Sequence, residues 1–140
     1  MGYDIELYKI PAKDILGTKG YIIKETHENK KSVRRGNHPE WVKEACDEWL
    51  YGLRQSLPCV VDFRSRYVNP FIRKHFKTEE NQIDVTLNVT ESKKFATALK
   101  KALDTPVTPS GEYMSGELEE LVSAMIRSLR SGSRHYFHFG

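Results

Sequence analysis

The chain has 140 residues, with Lys+Arg 22 against Asp+Glu 19 for a net charge of +3, and 39% of its residues are hydrophobic. That length suits one domain, 1–140, whose core needs neither disulfides nor metals, and apolar residues in every segment exclude whole-chain disorder. The charge is too mild for a dedicated duplex-DNA binder, and no run reaches the roughly eighteen apolar residues that a membrane-spanning helix requires.

The N-terminal segment MGYDIELYKI carries acidic residues and lacks the apolar run of a secretory signal, so a cytoplasmic protein without membrane association is expected. Within it Tyr3, Ile5 and Leu7 alternate with Asp4, Glu6 and Tyr8. This period of two predicts a half-buried strand that ends at Pro11. Tyr21-Ile22-Ile23 predicts a second short strand, paired with the first as a hairpin. The segment 25–37 is polar and carries Lys30, Lys31, Arg34 and Arg35, and reads as a mobile basic loop.

Pro39 opens the clearest helical pattern. Trp41, Val42, Ala45, Cys46, Trp49, Leu50, Leu53 and Leu57 recur at helical spacing, and Pro58 closes the run. Cys46 in this helix and Cys59 in the strand that follows are expected to be buried free thiols.

The stretch from Leu57 to Phe76 is central, because it joins an apolar strand to a row of cations and aromatics. Alternation predicts Cys59, Val61 and Phe63 on one face, with Asp62, Arg64 and Arg66 on the other. Arg73, Lys74 and Lys77 add charge, and Tyr67, Phe71 and Phe76 lie among the cations. Planar guanidinium groups bind phosphate through paired hydrogen bonds, and aromatics between them can stack on a base. The competing reading is a solvated sheet edge whose charges prevent aggregation.

After a polar turn, Ile83, Val85, Leu87 and Val89 alternate with Asp84, Thr86 and Asn88, predicting an antiparallel strand with one wet face. Thr90 or Ser92 is expected to cap a helix with Phe95, Ala98, Leu99, Ala102 and Leu103 as its stripe, backed by Lys93, Lys94, Lys100 and Lys101. A loop at about 104–115, rich in Pro and Gly, leads to a helix from Ser115 or Gly116 to Arg130. Acidic residues in that helix's first turns and arginines in its last suit the helix dipole, and Gly132 supplies the stop. The closing strand places Phe137 and Phe139 on one face and Arg134, Tyr136 and His138 on the other.

These elements predict an α+β domain: an antiparallel or mixed sheet of about five strands, with about three helices packed mainly on one face. Phosphate-loop, dinucleotide, nucleophile-elbow and zinc-protease motifs are missing, and no cofactor or metal is implied. His135 and His138 are an odd number apart on a strand, so they point to opposite faces and make poor joint metal ligands. The leading functional expectation is a non-enzymatic binding protein for a nucleotide or single-stranded nucleic acid, with Arg64, Arg66, Tyr67, Arg73, Arg134, Tyr136 and His138 as ligand-binding residues. The second is a protein-interaction module, an inhibitor or regulatory subunit, anchored by exposed aromatics such as Tyr51 or Tyr113. The third is a metal-independent phosphodiesterase or nuclease in which His138 acts with Arg134 and Tyr136.

Overall fold

The computed structural model describes residues 3–10, 57–79 and 83–140. The expected strand at 21–23, the basic loop at 25–37 and the tryptophan-bearing helix after Pro39 lie outside the described residues, as do Cys46 and Tyr51. In chain order the elements are β1 (Asp4–Ile10), β2 (Cys59–Arg64), α1 (Asn69–Phe76), β3 (Ile83–Leu87), α2 (Val89–Leu103), α3 (Gly116–Leu129) and β4 (Arg134–Phe139). The described strands form a four-stranded antiparallel sheet in the order β2-β1-β4-β3. The α+β class holds, with four described strands where about five were expected. Among the described residues no helix is long and apolar enough to cross a membrane.

Period-two patterning decides the sheet. Ile5 pairs with Phe63 and Phe139, and Leu7 with Val61 and Phe137, so the apolar side chains of β1, β2 and β4 share one face. Val85, opposite Phe137, continues that face into β3. All three described helices close over it in one core, which takes Ile72 and Phe76 from α1, Phe95 and Leu99 from α2, and Val122, Met125 and Leu129 from α3. At its centre Phe137 lies 5.8 Å from Phe76 and 4.9 Å from Phe95, ring centre to ring centre. Each such side chain, fully buried, contributes about 1.5–3 kcal/mol.

Helix α1 is an addition to the expected elements, because the basic and aromatic composition of 66–76 masks its helical stripe. Its own signals are short. A proline sits in the first turn, and the buried Asn69, Ile72 and Phe76 follow the three- and four-residue spacing of one helix face. Its N-cap, Val68, has no side chain able to cap. Just upstream, the Ser65 hydroxyl oxygen accepts from the backbone N–H of Tyr67 at 3.2 Å and of Val68 at 3.4 Å, which fixes the turn that leads into the helix. Lys77, at φ 53°, ends the helix in the left-handed region.

The cap of α2 also differs from expectation. Asn88 holds it, accepting from the Glu91 N–H at 2.8 Å, while Glu91 Oε1 accepts from the Asn88 N–H at 3.0 Å. This reciprocal capping box outcompetes Thr90 and Ser92, which fall within the helix. Helix α3 begins after Ser115 as expected, and Gly132, at φ +89°, follows its end.

Two burial expectations are corrected. Cys59 is exposed, because an irregularity between Leu7 and Tyr8 sets Cys59 opposite Tyr8 and takes it off the core face. The face bearing Tyr136 and His138 is not wet: Tyr136 is 0% exposed, Thr86 2% and His138 6%. Both faces of β4 are therefore buried, and its polar side chains need partners within the protein.

Candidate functional site

The second sheet face carries a row of polar side chains fixed by strand register. Glu6 lies between Asp62 on β2 and His138 on β4, and His138 lies between Glu6 and Asp84 on β3. The next row along the strands holds Tyr8, Tyr136 and Thr86. His138 Nδ1 lies 2.7 Å from Asp84 Oδ1, and its Nε2 lies 3.6 Å from Glu6 Oε2. Tyr136 donates to Asp84 Oδ1 at 2.5 Å, and Tyr8 donates to Glu6. The two tyrosine rings stack at 5.5 Å with 19° between their planes. Three strands are thus joined by two tyrosine–carboxylate pairs with one imidazole between them.

The chemistry of this cluster follows from its charges. Burial, together with the hydrogen bond to Glu6 and its charge, pushes the Tyr8 phenol well above its ordinary range, which keeps it a neutral donor. Cys59, opposite Tyr8, is also pushed up, first by burial and then by Asp62 and Glu6, so it lacks the activated thiolate of a nucleophilic cysteine. Thr86 Oγ1 is buried without a hydrogen-bond partner among the described residues. Among the described residues no group of three or more His, Cys, Asp or Glu side chains is arranged to hold a metal ion. Carboxylates flanking His138 on both sides would repel a phosphodiester, so the geometry gives little support to His138-centred phosphate chemistry.

The opposite face of β4 carries a second histidine, as the odd spacing predicted. His135 lies 3.0 Å from Ser92 Oγ through Nδ1 and 2.8 Å from Ser128 Oγ through Nε2, clamping α2 and α3 to the sheet. Burial first, then the positive charge of Lys9 across the β1–β4 pair, lowers its pKa to about 4. It is a neutral clamp, not a site.

The cations gather elsewhere. The turn from β2 into α1 presents Arg66 and Tyr67, both exposed. The Arg66 guanidinium carbon lies 5.3 Å from the centre of the Tyr67 ring, and its Nη2 donates to the Tyr67 hydroxyl at 3.4 Å. Buried Ser65 anchors this turn: besides accepting from the Tyr67 and Val68 amides through its hydroxyl, it donates its backbone N–H to the Tyr3 carbonyl at 3.0 Å. Tyr3, at 38% exposed, brings a second accessible ring to the same corner, and Tyr67 is equally open. Arg64 ends β2 beside them, paired with Asp4 at 2.9 Å on the protein surface.

The residues expected to bind ligand therefore fall into four places. Arg64, Arg66 and Tyr67 share the β2–α1 corner. Tyr136 and His138 belong to the acidic cluster. Arg134 pairs with Ile10, six residues along β1 from the Asp4–Arg64 pair, which is roughly 20 Å along an extended strand. Strand β1 lies between β2 and β4, so the two arginine groups do not adjoin within the sheet. Arg73 is engaged in packing, donating from Nε to Asn69 Oδ1 at 2.8 Å and lying 5.2 Å over the Phe139 ring. Sequence reasoning passes over Glu6, Tyr8 and Asp84, whose alternation marks them only as outward-facing. It also passes over Tyr3, which reaches the corner only once β1 pairs with β2. Tyr113 is exposed on the loop before α3.

No protein-family model, no curated protein and no solved structure matches this chain.

Proposed function

We propose that the protein binds a phosphate-bearing ligand built like a nucleotide, with Arg66 holding the phosphate and the rings of Tyr67 and Tyr3 receiving the base. The observation that carries this reading is the exposed Arg66–Tyr67 stack on a turn fixed by a buried serine. A guanidinium on a phenol ring joins a flat apolar surface to a fork of donors, the pairing that recognises a base together with its phosphate. The Ser65 hydrogen bonds hold the turn in place beforehand, which lowers the ordering cost of binding. Arg64 and the partner it holds, Asp4, flank the site and would tune its charge.

Isothermal titration with a panel of nucleoside mono- and triphosphates is the test. Wild-type protein is expected to bind at least one of them, more weakly at higher salt, and the R66A/Y67A double variant is expected to lose that binding with its melting temperature unchanged. Binding that is absent from wild type, or unaltered in the double variant, overturns the reading.

A further inference from the structure

We infer that the natural ligand of this corner is a single strand of nucleic acid, whose backbone runs on from Arg66 over a strip formed by Lys74, Lys77, Lys94 and Lys101. The inference rests on the nucleotide reading of the corner and extends it to a polymer.

The strip follows from how the helices pack. Helix α1 starts at the corner, runs about 12 Å and turns its buried face, Asn69, Ile72 and Phe76, inward, leaving Lys74 in its last turn and Lys77 at its C-cap exposed. Helix α2 continues the line. Its Ser92 is tied through His135 to Ser128, which places α3 on that flank of α2. Its Phe95 stacks with His75 at 5.2 Å and meets Phe76 edge-on at 5.0 Å, which places α1 on the other flank. At 100° per residue, Lys94 and Lys101 lie on one rail about 160–180° round from Ser92 and about 100–120° beyond Phe95, on the outer surface of α2 and nearer its α1 edge than its α3 edge. Both are exposed. Lys93 and Lys100 fall on a neighbouring rail about 100° round the helix, towards α3, and Lys100 is partnered by Asp104 at 3.5 Å.

Charge is segregated to match. Helices α1 and α2 carry Arg73, Lys74, Lys93, Lys94, Lys100 and Lys101 against Glu91. The Glu91 carboxylate accepts from its own helix cap, and Glu79 lies just past Lys77. Helix α3 carries Glu117, Glu119 and Glu120 in its first half. A polyanion crossing this surface is drawn to α1 and α2 and repelled from the start of α3. Exposed tyrosine faces select among polyanions, because bases in a duplex are stacked on one another and cannot reach them, whereas an open strand can splay a base onto a ring.

The test is fluorescence anisotropy with labelled oligodeoxythymidylates and oligouridylates, a trinucleotide and a dodecanucleotide of each, titrated at several salt concentrations. The dodecanucleotide is expected to bind wild type roughly tenfold or more tighter than the trinucleotide. The K94Q/K101Q variant is expected to weaken dodecanucleotide binding and flatten its log K against log salt slope by about 0.7 for each phosphate that the lysines no longer neutralise, while mononucleotide binding stays unchanged. Equal affinity for the two lengths, or an unaltered slope in K94Q/K101Q, overturns the strip while the corner reading stands. Heparin, a duplex of equal length, or phosphatidylserine vesicles competing as well as the single strand at matched charge also overturn it. Mononucleotide binding that fails in wild type removes the corner and the strip together.

Discussion

His135 makes stability depend on pH in a way that can be calculated. The imidazole is 0% exposed, and both ring nitrogens are within hydrogen-bond distance of serine hydroxyls on two different helices. Lys9, paired with it across the sheet, opposes a positive charge on the ring. Its pKa falls from 6.5 to about 4. A group whose folded pKa is depressed binds fewer protons in the native than in the unfolded state between those two values. Stability is therefore highest above the unfolded value and drains away as pH falls through the window, levelling off below the folded one. With 1.36 kcal/mol per unit, the loss attributable to His135 is about 2 kcal/mol by pH 5 and about 3 kcal/mol by pH 4.

Urea unfolding of wild type and of a His135→Gln variant, followed by tryptophan fluorescence at steps from neutral to mildly acid pH, isolates this contribution from those of the carboxylates and the other histidines. Glutamine can satisfy one of the two serines, so the variant is expected to be about 1–3 kcal/mol less stable than wild type near neutrality. Since glutamine does not titrate, that gap should close as the pH falls towards 5. Stability curves that stay parallel over the whole range would show that His135 is not held neutral by its surroundings, and the reasoning would fail.

The remaining expectations concern the second sheet face and the start of α2. Thr86→Val replaces a buried hydroxyl that has no partner among the described residues with a methyl group of the same branching, so it should raise stability in chemical unfolding by up to about 1 kcal/mol. Asp84→Asn weakens the acceptor shared by Tyr136 and His138, and it should cost about 1–3 kcal/mol in the same assay without changing the secondary-structure signal in circular dichroism. Asn88→Ala removes half of the capping box and should lower stability by about 1 kcal/mol, with faster amide exchange confined to the first turn of α2.

What the sequence made legible was periodic. The alternation in β1, β3 and β4 and the apolar stripes of α2 and α3 place their side chains by simple geometry, and the structure puts Phe137 and His138 on opposite faces as that geometry requires. What stayed hidden depends on partners remote in the chain. Glu6 and His138 are far apart in sequence, and nothing local to either says that β1 pairs with β4. Cys59 left the core face through an irregularity of register that its own neighbours do not announce. Helix α1, at 8 residues, is too short for periodicity to stand out, and no side-chain N-cap announces its start. Burial of Tyr136 and Thr86 is hidden for a related reason: polar residues alternating with apolar ones read as solvated unless the whole face is known to be covered.

The two polar regions of this sheet differ in sign and in access, and that difference directs any anionic ligand. The row Asp62–Glu6–His138–Asp84 aligns three carboxylates with one imidazole, and the tyrosines of the next row already supply donors to two of them. A phosphate placed there would displace satisfied hydrogen bonds and face uncompensated negative charge, a double cost in a region of low dielectric. At the end of the same sheet, Asp4 is offset by Arg64, and Arg66 lies open on its tyrosine. The cost there is small, because the groups are already in water and the turn is already ordered. The acidic row therefore disfavours an anion on this sheet face, which supports the β2–α1 corner as the place proposed for the phosphate.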